Sequence, residues 1–121
     1  MILVDTSVWV GHLRTGDATL IRRLDDGEVL IHPFVIGELA LGNLRQRNAV
    51  LDALSDLPRA QVATDAEALH LIDAHNLHGR GIGYVDVHLL AASRLTAGAE
   101  LWTHDRRLHT VAETLGVAFV K

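Results

Sequence analysis

Four acidic residues lie beside or within apolar segments of this chain, where a carboxylate without a partner is costly to bury. They are Asp5, Glu38, Asp86 and Asp105. If folding brings them together, their mutual repulsion requires a cation, and a cluster of carboxylate oxygens suits Mg²⁺ or Mn²⁺. Such an ion activates a water molecule and stabilises the oxygen that leaves a phosphodiester. This set of acids therefore predicts nuclease chemistry.

The three aspartates also have an ordinary structural explanation. Asp5, Asp86 and Asp105 each stand just before a predicted helix, and aspartate is a favoured residue at a helix N-cap. Taken singly, an aspartate in such a position is more often a cap than a ligand. A functional interpretation therefore needs a feature that capping does not explain.

Glu38 supplies that feature, because it lies inside a predicted helix rather than at its start. Phe34 and Val35 come one turn before it and Leu41 comes one turn after, so its side chain is predicted to face the core. A buried carboxylate must be neutralised, paired or bound to a metal ion. Arg45 is the competing partner, but it lies seven residues further along and does not face Glu38 within one turn.

The composition excludes several other chemistries. The chain has 121 residues and no cysteine, which excludes disulfides, thiolate metal sites and thiol nucleophiles. Lys121 is the only lysine, so reactions that need an interior lysine are excluded as well. The net charge of −4 provides no global attraction for nucleic acid. Without the four candidate acids, acidic and basic residues balance at eleven each.

Short apolar runs alternate with amphipathic stretches, a pattern typical of strand–helix units around a parallel sheet. We expect a single domain over residues 1–121 with a three-layer α/β/α architecture and a central parallel sheet. In such sheets the crevice lies beyond the carboxyl ends of the strands, where Asp5 and Asp105 are predicted to lie. The predicted strands are Ile2–Asp5, Glu28–His32, Gln61–Ala63, Leu101–Thr103 and Val117–Val120. The predicted helices are Ser7–Arg14, Thr19–Leu24, Pro33–Leu44, Arg47–Leu57, Asp65–Leu77, Val87–Ala97 and Arg107–Leu115.

Other patterns favour structural explanations. The glycine-rich segment 79–83 neither follows a strand nor contains a lysine, so it predicts a mobile connection rather than a phosphate-binding loop. The histidines lack the spacing of a metal site, and we expect them at the surface or the edge of the core. Trp9 and Trp102 are predicted to lie in the core.

A set of leucines and valines between residues 39 and 57 is large for two short helices. It predicts either ordinary core or a surplus apolar face that binds a second copy of the chain or a partner helix. The set comprises Leu39, Leu41, Leu44, Val50, Leu51, Leu54 and Leu57.

Four segments of the chain resemble the motifs of PIN-domain ribonucleases, and in particular those of the VapC-type toxins of bacterial toxin–antitoxin pairs. They are DTSVW at 5–9, VIGEL at 35–39, YVDVHLLAA at 84–92 and WTHDRRL at 102–108. The motifs occur in the family's order and at its spacings over essentially the whole chain. Each motif is weak by itself, but the four together are specific.

This resemblance implies an acidic site for Mg²⁺ or Mn²⁺, with Thr103 adding a hydroxyl and Ser7 hydrogen-bonding within the site or capping the first helix. The implied activity is metal-dependent endoribonuclease cleavage of RNA, held in check by a VapB-like antitoxin. Similar toxins form homodimers, and their complexes bind operator DNA through the antitoxin. No segment has membrane-spanning length and no basic leader precedes Asp5, so we expect a cytoplasmic protein with no membrane partner. The metal ligands carried over by position are Asp5, Glu38, Asp86 and Asp105.

One departure from the family leaves the number of metal ions open. Many relatives have a further acid shortly after the fourth motif, whereas Arg106 and Arg107 follow Asp105 here. These two arginines, together with Arg80, are candidates for contacts with RNA phosphates or are ordinary exposed residues.

Two other functions also remain open. One is a non-catalytic interaction domain with a PIN-like fold. The other is a magnesium-dependent phosphoryl-accepting domain of the receiver type. A receiver-type site usually needs an interior lysine and a second acid close to the first, and this sequence has neither.

Overall fold

In the computed structural model, which describes residues 1–121, a three-stranded parallel sheet lies within a layered arrangement of seven helices. This is the three-layer α/β/α architecture predicted from the sequence. The strands are β1 (Ile2–Val4), β2 (Val29–Leu30) and β3 (Glu100–Trp102). The helices are α1 (Thr6–Thr15), α2 (Ala18–Asp25), α3 (Pro33–Ala40), α4 (Arg47–Ser55), α5 (Asp65–His75), α6 (Tyr84–Leu95) and α7 (Arg106–Thr114).

The first strand lies at the centre of the sheet, in the order β2-β1-β3. Leu3 pairs with Leu30 on one side and with Leu101 on the other, and all strands run parallel. These strands are almost wholly apolar because helices cover the sheet, which leaves no polar face. Their carboxyl ends lie at one edge, so the residues that follow β1 and β3 are brought together there.

Two predicted strands are wrong, since neither segment forms a strand of the sheet. Instead of a strand at Gln61–Ala63, Arg59 forms an isolated bridge with Ile31. Instead of a strand at Val117–Val120, Ala118 forms an isolated bridge with Leu101. A short apolar run has no partner for a longer ladder at an edge, and its burial then comes from packing alone.

Two helix boundaries differ from the prediction by three residues or more, and the other boundaries differ by at most two. Helix α3 ends at Ala40 rather than Leu44, and helix α6 begins at Tyr84 rather than Val87. The earlier start of α6 places Asp86 inside the first turn of the helix instead of ahead of it. Pro33 occupies the first turn of α3 as predicted, where its missing N–H is not needed.

The core is one cluster of thirty buried apolar residues. Trp9 and Trp102 belong to it, as the sequence predicts. His32 and His88 are also buried, which corrects the expectation that the histidines lie at the surface or the edge of the core. None of the helices combines the length and the apolar character needed to cross a membrane.

Candidate active site

Asp5 follows β1 directly and is buried, with 7% of its surface exposed. Its Oδ2 accepts hydrogen bonds from the Ser7 hydroxyl at 2.8 Å and from the Thr103 hydroxyl at 2.7 Å. Although Asp5 occupies the N-cap position of α1, its side chain makes no capping hydrogen bond. The structural explanation for Asp5 is therefore wrong, because its carboxylate is oriented toward hydroxyls from two separate elements.

The two hydroxyls also connect the ends of β1 and β3. The backbone N–H of His104 donates to Ser7 Oγ at 3.0 Å, and that of Asp105 donates to Thr103 Oγ1 at 3.0 Å. Ser7 thus hydrogen-bonds within the site, which is the first of the two roles considered for it. Thr103 is buried and positions Asp5 and the backbone of Asp105 together.

Asp105 and Asp86 do act as helix caps. Asp105 precedes α7, and its Oδ1 accepts from the backbone N–H of Leu108 at 3.0 Å. Asp86 is the third residue of α6, and its Oδ2 accepts from the backbone N–H of Gly83 at 2.9 Å. Gly83 was predicted only as part of a mobile connection, although its position three residues before an acid is a capping signal that the sequence contains.

Glu38 is exposed, so the prediction that it faces the core is wrong. Helix α3 is short, and its buried residues are Val35 and Leu39. Leu41, which suggested an apolar surrounding for Glu38, is 91% exposed. The partner of Glu38 is Thr6, whose hydroxyl donates to Oε1 at 2.7 Å. Thr6 was not assigned a role, although it lies between Asp5 and Ser7 in the first motif.

The four carboxylates share one feature, which is that each has one engaged oxygen and one that accepts no hydrogen bond from the protein. The engaged atoms are Oδ2 of Asp5, Oε1 of Glu38, Oδ2 of Asp86 and Oδ1 of Asp105. None of the four forms an ion pair with an arginine, histidine or lysine. The site therefore has negative charge that the chain itself does not neutralise.

The electrostatic effect of this grouping is greatest at Asp86, which is half-buried. Burial raises the pKa of the Asp86 carboxyl, and the negative charges of Asp5, Asp105 and Glu38 raise it further, against the lowering effect of the hydrogen bond from Gly83. Acids far apart in sequence thus act on one carboxyl.

The residues present fit a hard divalent cation. No group of three or more histidine or acidic side chains is positioned to hold a metal ion by itself, and one oxygen of each of the four carboxylates accepts from an N–H or O–H group. Mg²⁺ keeps several water ligands and usually binds one or two protein carboxylates directly. Free carboxylate oxygens in an uncompensated negative site are the donors that such an ion requires.

The predicted phosphate-contacting arginines lie close to Asp86 and Asp105 along the chain. Arg106 and Arg107 begin α7, immediately after Asp105, and Arg80 lies in the loop before α6. The side chain of Arg107 packs over Gly81, since a Cβ placed on that glycine would lie 2.7 Å from Arg107 Cδ. Gly81 also has a φ of +79°, which disfavours other residues. Arg107 therefore connects the loop preceding Asp86 with the helix that Asp105 caps.

A cavity of about 590 Å³ adjoins the site on the side of Glu38. Its lining includes Thr6 and Glu38, apolar residues of α1 and α3, and the segment that joins α3 to α4. Part of the leucine and valine set predicted as core or as a partner surface lies in the core. Leu39 and Leu54 are buried, whereas Leu41 is almost fully exposed and the others are partly buried.

The comparison with known protein families identifies the class of this protein. The profile of the PIN domain family matches residues 2–114. The chain therefore belongs to the PIN-domain family, as its four motifs suggested. Ribonuclease VapC32 of Mycobacterium tuberculosis, from strains CDC 1551 / Oshkosh and ATCC 25618 / H37Rv, is 50% identical over 121 residues. The match covers 100% of this chain and 98% of the relative, which confirms the resemblance to the VapC type.

Proposed function

We propose that this protein is an endoribonuclease that cleaves RNA with the help of Mg²⁺ or Mn²⁺ and acts as the toxin of a toxin–antitoxin pair. The observation that carries the proposal is the set of four carboxylates without basic partners, whose charges act together on Asp86. The full-length similarity to a protein named as a ribonuclease supports RNA as the substrate.

In this proposal Asp5, Glu38, Asp86 and Asp105 present their free oxygens to the cation or to its water ligands. When bound, the cation would supply a water of lowered pKa and would offset the charge that develops on the leaving oxygen of the phosphodiester. Thr103 and Ser7 position the Asp5 carboxylate through the hydroxyl contacts described above, and Thr6 does the same for Glu38. The hydroxyls thereby reduce the reorganisation that cation binding requires.

The guanidinium groups of Arg80, Arg106 and Arg107 are proposed to contact the RNA backbone. The chain as a whole is negative, so local cations must provide the attraction for phosphates near the site. Arg107 is the best placed of the three, because its packing over Gly81 fixes the side chain between the segments that carry Asp86 and Asp105. A guanidinium fixed in this way can donate two parallel hydrogen bonds to one phosphate.

The proposed partner is a VapB-like antitoxin, since VapC toxins generally pair with VapB antitoxins. The cavity beside Glu38 supports this proposal, because its lining combines apolar residues with three charged side chains, which are Glu38, Arg14 and Arg45. An antitoxin helix with apolar residues and charged residues of both signs would match this lining. Assembly as a homodimer in the cytoplasm, and contact with operator DNA through the antitoxin alone, belong to the same proposal.

The test of the proposal is cleavage of a labelled RNA by the purified chain. We expect cleavage with Mg²⁺ or Mn²⁺, loss of cleavage in EDTA and recovery when the metal ion is added back. The variants Asp86→Asn and Glu38→Gln should each reduce the rate by more than about 100-fold, because each removes a charge that holds the cation.

The matched control is Asp73→Asn, which changes an exposed acid of α5 that forms none of the hydrogen bonds of the site. It should cleave as the unmodified chain does. Undiminished cleavage by Asp86→Asn, in a preparation free of other nucleases, would contradict the site assignment. A folded chain that cleaves no RNA under any metal condition would favour the non-catalytic interaction domain.

A further inference from the structure

The aromatic residues of this chain are few and unevenly placed. There are five, comprising two Phe, two Trp and one Tyr. Trp9, Trp102 and Phe119 are buried in the core. Phe34 and Tyr84 are 38% and 45% exposed. Phe34 and Tyr84 are therefore the two aromatic side chains outside the core. Their presence is not explained by burial within this chain.

Phe34 and Tyr84 both contact one buried residue, His88. The ring centroids of Phe34 and His88 are 5.0 Å apart, and those of Tyr84 and His88 are 4.7 Å apart, both with edge-to-face geometry. His88 is 2% exposed, and neither of its ring nitrogens has a hydrogen-bond partner. The imidazole thus serves as an aromatic support, and its Nε2 lies 3.4 Å from Asp65 Oδ1.

Further contacts fix the two exposed rings in place. The Tyr84 hydroxyl donates to Asp65 Oδ1 at 2.9 Å, and the His32 ring packs edge-on against Phe34 at 5.0 Å between centroids. The rings of Phe34 and Tyr84 are therefore fixed by contacts within the protein, while part of each ring remains exposed to solvent. A rigid, preformed surface loses little conformational entropy when a ligand binds to it.

The two rings also lie in the helices that carry acids of the candidate site. Phe34 is one helical turn before Glu38 on α3, so the two side chains share a face of that helix. Tyr84 is the first residue of α6, and Asp86 is the third. A strand of RNA with its phosphate at the acids would have its neighbouring bases within reach of the rings.

We propose that Phe34 and Tyr84, supported by His88, form a stacking platform for unpaired nucleobases next to the cleavage position. The proposal depends on the function proposed above and adds the part of the RNA that these residues bind. Every base has a flat π-face, so an exposed ring can stack on any of them without reading the sequence. With a net charge of −4, contacts other than electrostatic ones must contribute to RNA affinity.

The test is the affinity of the chain for a short fluorescein-labelled single-stranded RNA, measured by anisotropy. All proteins carry Asp86→Asn, so that the RNA stays intact during the measurement. Adding Phe34→Leu or Tyr84→Leu should weaken binding by about 5-fold to 150-fold, which is the range for loss of one base–aromatic stack. Tyr84→Phe keeps the ring and should bind like the parent. Ile21→Ala, at an exposed apolar position on α2, is the matched control.

An abasic series separates stacking from a general effect on the fold. Oligonucleotides that lack one base at successive positions should identify a position at which the parent loses affinity. When the base at that position is absent, Phe34→Leu or Tyr84→Leu should cause no further loss of RNA affinity, because the base that would stack on the ring is already missing. If a leucine variant lowers the affinity for intact RNA and for abasic RNA by the same factor, the platform proposal is overturned. The ring would then act only through its effect on the fold.

Two other results would also overturn the platform. One is unchanged RNA affinity in both leucine variants, with the parent still binding RNA and the unmodified chain still cleaving it. The other is unchanged RNA affinity together with lost affinity for the antitoxin, which would assign the rings to a protein partner. If the chain neither binds nor cleaves RNA, the proposed function fails together with the platform.

Discussion

Asp86 is the residue at which the neighbouring acids have their clearest effect. Its pKa in the folded chain is raised, by burial first and by the charges of Asp5, Asp105 and Glu38 in addition. A carboxyl with a raised pKa binds its proton more tightly in the folded than in the unfolded state. Its contribution to stability is therefore fully present below the unfolded-state pKa and is lost as the pH rises through the folded-state value.

We accordingly predict that Asp86→Asn stabilises the chain at pH 7 without metal ions. The neutral amide removes the repulsion, and its oxygen can still accept from the Gly83 N–H. The melting temperature in EDTA should rise by about 2–6 °C. The gain should disappear as the pH falls below the pKa of an unfolded aspartate, because the native carboxyl is then neutral as well.

A melting temperature at pH 7 that is equal to or lower than that of the unmodified chain would contradict this prediction. The change in melting temperature on adding Mg²⁺ is a second measurement, and it should favour the unmodified chain over the variant. Mg²⁺ should stabilise the unmodified chain, since a ligand that binds only the folded state favours that state, and it should stabilise Asp86→Asn much less.

At the scale of elements, the start of α3 depends on a neutral histidine. His32 is the N-cap, and its Nδ1 accepts from the backbone N–H of Phe34 at 3.0 Å, which a doubly protonated ring cannot do. Burial first, and then the neighbouring His88 and Arg59, together lower the pKa of His32 from 6.5 to about 4. Helix α3 carries Glu38 and Phe34, so this cap affects both the candidate site and the proposed platform.

The sign of the pH effect at His32 follows from this shift. Between pH 6.5 and about 4 the unfolded chain takes up a proton at this position and the folded chain does not, so stability falls as the pH falls. The difference amounts to roughly 3 kcal/mol across that interval. Urea unfolding of the unmodified chain and of His32→Asn over this pH range should show a flatter profile for the variant. Asparagine can cap the helix without titrating.

His109→Asn is the control for this experiment, because His109 lies on α7 and is partly exposed. Its profile should follow that of the unmodified chain. A His32→Asn profile as steep as the native one would show that other groups cause the loss of stability at low pH.

At the scale of the whole molecule, the negative net charge belongs to the candidate site. The chain has four more acidic than basic residues, and the four candidate acids account for the difference. A cation at the site would bring the folded protein closer to electrical balance. The proposed sites for RNA and for an antitoxin adjoin each other, since Glu38 belongs both to the four candidate acids and to the lining of the cavity.

This proximity predicts behaviour in a bacterial host. Expression of the chain alone should arrest growth, and expression of Asp86→Asn to the same level should not. Co-expression of the neighbouring gene for the antitoxin should restore growth, because an antitoxin helix in the cavity would cover the acids. Growth curves with matched protein levels measure both effects. Normal growth with abundant, folded, unmodified chain would argue for the interaction-domain alternative.

Several features of the fold could be predicted from the sequence because they depend on local pattern. Apolar runs such as Ile2–Val4 identify the central strands, and Pro33 identifies the start of α3. The run at Val117–Val120 has the same local pattern but forms only one bridge, because a strand also requires a partner along its length. The order of the strands follows from long-range pairing, which no local pattern contains.

The sequence by itself determined the family, the layered architecture and the identity of the four candidate acids, since residue types and their spacing are enough for each. Only the tertiary structure decided how those acids are oriented. Glu38 is exposed and bonded to Thr6, Asp5 is bonded to Ser7 and Thr103, and the other two acids cap helices. The physical reason is that the environment of a side chain is set by segments far away in sequence, which meet only when the chain folds.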